Sequence, residues 1–68
     1  MAKIQALRRL IYSVYDSEAQ CAAVIQWSRQ RLNRITNGVK EPDVNELHAL
    51  AGALHRSVAE IAEIFLEQ

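Results

Sequence analysis

The sequence predicts an all-α domain of five short helices packed into one compact unit. Three observations carry that expectation. Apolar residues recur three and four apart, and no apolar/polar alternation persists beyond a few residues, which is the period of helices rather than strands. A Ser or Asp is followed three places on by Gln or Glu at Ser17/Gln20, Asp43/Glu46 and Ser57/Glu60, each the pattern of a capped helix start. The run from Asn37-Gly38 to Pro42 supplies a left-handed stop and then a residue that cannot continue a helix.

The first helix is expected over about Ala2 to Tyr15, with Ile4, Leu7, Leu10, Ile11 and Val14 facing inward. The second begins at Ser17 and turns Cys21, Val24 and Ile25 inward, with the small Ala22 and Ala23 beside them. Ser28 opens the third, which Asn37-Gly38 closes. Asp43 opens the fourth, whose apolar stripe is Val44, Leu47, Leu50, Ala51 and Leu54. Gly52 lies inside it at a cost of about 1 kcal/mol relative to alanine. Ser57 opens the fifth, which carries Val58, Ile61, Ile64, Phe65 and Leu66.

Sixty-eight residues, half of them hydrophobic, make one domain over 1–68 with no room for a second core. A domain of this size buries only about 60% of its unfolded surface, so modest stability is expected. No apolar run approaches the roughly 18 residues of a membrane span, and no signal-peptide pattern opens the chain. The single cysteine, Cys21, excludes an internal disulfide framework and fits a reducing cytoplasm. Net charge is zero, yet residues 1–40 hold seven cations against two carboxylates and residues 41–68 one against six. That polarity suggests a basic face for phosphates and an acidic back.

Catalytic chemistry is not expected. His48 and His55 stand seven apart, roughly on one helical side, but Cys21 has no partner at a metal-ligand spacing. The Asp43 and Glu46 carboxylates are accounted for by capping. There is no phosphate-cradling glycine loop and no nucleophile motif. Neither cofactor, metal nor small-molecule substrate is implied. Cys21 reads as inert core, and Trp27 as a turn residue pinning two helices.

The third helix carries the functional signal. At about 100° per residue, Arg29, Gln30, Asn33, Arg34 and Asn37 cover one sector of roughly 140°, with Leu32 and Ile35 opposite. Arginine donates twice to guanine, and Gln or Asn pairs with adenine through one donor and one acceptor. Only Gln26 and Trp27 separate Ile25 from Ser28, so helices two and three form a helix-turn-helix. In that geometry the second helix enters the major groove with its N-terminal end leading. Arg29 and Gln30 then reach bases first. Ser28 and the free amides beside it favour a phosphate oxygen, and Arg31, at the flank of the crest, falls to phosphate or solvent.

The order S-R-Q-R-L-N-R-I-T-N-G-V-K-E-P followed by D-V-N-E-L-H-A-L-A-G-A-L resembles the lambda-repressor/Cro-like helix-turn-helix family from about Ser17 to Ile61. The resemblance implies a five-helix domain that binds operator DNA, usually as a dimer, and regulates transcription. Carried over by position, it makes Arg29, Gln30, Asn33 and Arg34 base-reading residues. Ser28, Asn37 and Lys40 become backbone contacts, with Ser17 and Arg31 added to that set. Four departures stand out. Gln26 occupies the turn position where the family often has Gly, so it must take an uncommon backbone or the turn differs. Glu18 stands where a Gln commonly touches phosphate, Cys21 replaces a usual Leu, and His55-Arg56 replace a Gly and an apolar residue.

The expected function is sequence-specific binding of double-stranded DNA by a small transcriptional regulator, a repressor of phage or mobile-element type. Two copies would act on a two-fold-symmetric operator. Either Ile64, Phe65 and Leu66, which exceed what one helical side can bury, form the surface of a homodimer, or Ile61, Ile64 and Phe65 complete the monomer core. The rival reading keeps the fold but makes it a protein-interaction module, an antirepressor or antitoxin. Neutral net charge and Glu18 favour that rival.

Overall fold

The computed structural model describes residues 4–67. It contains α1 (Gln5–Val14), α2 (Glu18–Val24), α3 (Arg29–Thr36), α4 (Val44–Leu54) and α5 (Val58–Leu66), and no strand among the described residues. The expected start of the first helix at Ala2 lies outside the described residues. Helices α2 and α3 pack together, α4 and α5 form a second pair, and α1 touches all four. The core where they meet is Ile4, Leu7, Ile11, Cys21, Ala22, Leu32, Ile35, Leu50, Ala51, Ala53, Leu54 and Ile61.

Four of the five starts are capped by the residues the sequence marks. Asp43 and Ser57 make full reciprocal boxes with Glu46 and Glu60. Ser28 accepts from the Arg31 amide at 3.1 Å. The Ser17 box is only half made: its hydroxyl accepts from the Gln20 amide, but Gln20 Oε1 accepts from the Asp16 amide at 3.0 Å instead of from Ser17. The second donor satisfied is therefore the one before the cap.

Three apolar assignments need correction. Val24 is 58% exposed, because Ala22 joins Cys21 in the buried arc of α2 and leaves Val24 about 110° from its centre. Val44 is 67% exposed, since α4 buries Glu46 and Ala53 and its inward arc swings away from the first residue. Val14 is exposed at the last residue of α1. There the chain turns extended at Tyr15, which packs against the core and donates its hydroxyl to the Ala53 carbonyl at 2.8 Å.

Three helix ends turn through left-handed backbone: Gln26 (φ 61°) after α2, Gly38 (φ 75°) after α3 and His55 (φ 58°) after α4. Each is held by an amide reaching five residues back, Trp27 to Ala22, Val39 to Arg34 and Arg56 to Ala51. These are Schellman closures, in which glycine is the unstrained occupant. Only the middle one has it. Gln26 thus adopts the uncommon conformation that its place in the turn demands.

Gln26→Gly and His55→Gly should each relieve this strain. A left-handed L-residue costs about 1–2 kcal/mol, and the extra freedom of glycine in the unfolded chain takes back part of the gain. A net stabilisation of about 1 kcal/mol, or a rise in Tm of roughly 4–8 °C, is expected in thermal and urea unfolding. Loss of stability at either position would contradict the left-handed turns.

Candidate nucleic-acid interface

Helix α3 is fixed from beneath. Leu32 and Ile35 are fully buried and Thr36 nearly so, and the Thr36 carbonyl accepts from the Ile4 amide at 2.8 Å. Above this keel Arg29, Gln30 and Arg34 are exposed and Asn33 is half-buried. Asn37 closes the helix as its C-cap rather than continuing it. Gln30, Asn33, Arg34 and Asn37 line one open concavity of about 460 Å³ with Arg31 and Val39. The side chains of Arg29 and Arg34 form no ion pair or hydrogen bond among the described residues. Their donors, and the Gln30 and Asn33 amides, are free to meet an external ligand.

Arg31 and Lys40 are held differently, by Glu46. Its side chain is only 2% exposed. Oε1 completes the capping box by accepting from the Asp43 amide at 3.0 Å. Oε2 accepts from Arg31 Nε at 3.1 Å and Lys40 Nζ at 2.8 Å, with Arg31 Nη2 at 3.0 Å. The Arg31 guanidinium also lies 4.4 Å from the centroid of the Trp27 ring, within cation–π range. One carboxylate thereby joins the turn, α3, the following loop and the start of α4. Burial alone would push the Glu46 carboxyl up. The hydrogen bonds from Lys40, the Asp43 amide and Arg31, with the Lys40 charge, outweigh it and hold the group at about 2. Both cations keep nearly half of their side chains in water.

At the other end of the helix pair, Ser17 is committed to capping α2. Glu18 turns inward: Oε1 accepts from the Thr36 hydroxyl at 2.8 Å, and Oε2 lies 3.6 Å from Arg8 Nε. Burial, and secondarily the Glu18 charge, pushes the Cys21 thiol up to about 11, so at neutral pH it is a protonated core group. His48 and His55 are exposed, and no group of three or more His, Cys, Asp or Glu side chains suited to a metal occurs among the described residues. No helix of the described residues is long and apolar enough to cross a membrane.

The structure gathers Gln30, Asn33, Arg34 and Asn37 at one surface and places Arg31 and Lys40 together beside Glu46. Sequence reasoning identified Glu46 only as a cap and missed its bonds to Arg31 and Lys40. Capping is visible at a spacing of three residues, whereas the bond from Arg31 spans fifteen and has no local signature. A family model described as helix-turn-helix matches residues 16–61, more than half of the chain. No curated protein and no solved structure matches.

The Glu46 pairing sets a pH dependence. The folded pKa of about 2 lies below the ordinary 4.5, so the stabilisation is complete above about pH 4.5 and is lost as pH falls through about 2. The shift corresponds to at most about 3 kcal/mol, and the exposure of both cations makes the net worth smaller. Glu46→Gln keeps the shape and a capping oxygen. It should cost about 1–3 kcal/mol at neutral pH and flatten the acid limb of the stability curve. An unchanged acid limb in urea titrations would remove Glu46 from this role.

Proposed function

Because the chain belongs to the XRE-type helix-turn-helix family, the lambda-repressor/Cro-like group, and is thereby a DNA-binding transcription regulator, we propose that it represses by reading a two-fold-symmetric operator as a homodimer. The observation that carries this reading is the exposed, unpaired polar row of α3 above a fully buried keel. Arg29 and Arg34 match guanine, and Gln30 and Asn33 match adenine, through their paired donors and acceptors. Ser28 and the first amides of α3 lie at the end of the helix that favours phosphate. Asn37, Ser17 and the water-facing parts of Arg31 and Lys40 complete the backbone set. These contacts position the helix without carrying sequence information.

Dimerisation is supported by an apolar groove of about 210 Å³ where Pro42 and Leu47 face Ala62, Phe65 and Leu66, with Glu41 at its margin. Leu66, which lines that groove, is 81% exposed. A homodimer of this class sets its two recognition helices in successive major grooves, about 34 Å apart. The protein-interaction reading rested partly on Glu18 as a carboxylate facing phosphate. Glu18 instead accepts from Thr36 inside the fold, which takes that support away.

Selection of bound duplexes from a random pool tests the proposal directly, and a recovered palindrome is the expected result. On that site Arg29→Ala or Gln30→Ala should cost about 1–3 kcal/mol and relax one base position. Lys40→Ala should weaken all duplexes alike and lower the salt slope by about one unit. Binding that is weak, unselective and insensitive to these changes would reject the reading. Separately, Leu66→Glu should leave the unfolding midpoint of the monomer in place while abolishing dimers in sedimentation. Persistence of dimers would move the pairing surface elsewhere.

A further inference from the structure

The polar row of α3 has one apolar neighbour with no structural duty. Val39 follows the left-handed Gly38, is 58% exposed, and lines the same concavity as Gln30, Asn33, Arg34 and Asn37. It does not belong to the core. Its place is nevertheless fixed. The Val39 amide donates to the Arg34 carbonyl at 2.9 Å, the Lys40 amide to the same oxygen at 3.1 Å, and the Gly38 amide to Ile35 at 3.1 Å. Next in the chain, Lys40 is tied to the buried Glu46. A β-branched side chain on such a backbone has little rotamer freedom to lose, so an apolar contact made by Val39 is preorganised.

The chemistry of that contact follows from its neighbours. A surface whose other members suit base edges meets only one exposed apolar group on the major-groove floor, the C5 methyl of thymine. Resting on the proposed operator reading, we infer that Val39 is a further specificity-determining residue, reading a thymine methyl beside the base contacted by Arg34 or Asn33. It selects thymine over cytosine at a position where the polar row alone would have no means of sensing the methyl. Val39 thereby extends the reading surface beyond the end of α3 into the loop.

Uracil tests this without altering any hydrogen-bonding group, because it is thymine lacking the methyl. Each thymine of the selected operator is replaced in turn by uracil, and binding is measured for the wild-type chain and for Val39→Ala. At one thymine in each half-site the wild type should lose about four-fold, the worth of one buried methyl group at about 0.8 kcal/mol. Val39→Ala should already bind the thymine duplex about four-fold more weakly, and should not distinguish the two bases. Equal unfolding midpoints would confirm that the exposed substitution leaves the fold intact. If uracil costs both proteins the same at every position, or costs neither anything, the inference fails while the operator reading stands. If no selective duplex is recovered at all, both fail together.

Discussion

The proposed reading surface depends on a single buried carboxylate. Among the described residues Glu46 is the one acidic side chain withdrawn almost wholly from water, and it is tolerable there because both oxygens are bonded and two cations face it. A buried charge without partners would be several kcal/mol too costly. Arg31 and Lys40 cannot swing away without stranding it, although they themselves keep nearly half of their side chains in water. Helix α3, its closing loop and the N-terminus of α4 are therefore coupled. The contact matters because α3 and α4 have little else in common: the main packing pairs are α2 with α3 and α4 with α5.

The same economy marks the helix ends. With helices of seven to eleven residues, a large share of backbone groups lies at termini, where four amides and four carbonyls per helix lack internal partners. The chain answers with side-chain caps at Ser17, Ser28, Asp43 and Ser57 and with three left-handed closures. Placing Gln26 and His55 in two of these closures costs stability that glycine would not. Among the described residues no side-chain hydrogen bond or ion pair compensates His55. Gln26, in the turn between α2 and α3, stands exposed near the proposed DNA face.

What the sequence made legible follows the range of the interactions involved. Five helices were readable, and four of their starts, because caps and stop signals act within three or four residues, and the α3 keel because Leu32 and Ile35 obey the helical period; α1 begins at Gln5 with no side-chain cap to mark it. Val24 and Val44 were misplaced because period alone cannot say where the buried arc is centred. That depends on which neighbour arrives, and Ala22 and Glu46 took places that larger apolar residues were expected to fill. The polar row was legible for the same local reason as the keel. The second role of Glu46, the inward turn of Glu18 and the exposure of Val39 were not, since each depends on a partner, or the lack of one, distant in sequence.

The division of cations also explains how a chain of zero net charge is compatible with a polyanionic partner. Glu18 holds Arg8, and Glu46 holds Arg31 and Lys40, so part of the basic charge of the N-terminal forty residues is neutralised inside the fold. Arg29 and Arg34 are spared. Long-range attraction, which rises with net charge and is sequence-blind, is thereby reduced, whereas the base contacts proposed for Arg29 and Arg34 are not. Holding Lys40 and Arg31 in place also removes side-chain entropy before binding rather than during it, and each such chain carries up to about 2 kcal/mol of it. Weaker general attraction with preset local geometry raises the ratio of selective to unselective binding. That ratio, not affinity alone, decides whether a small regulator finds its site among many competitors.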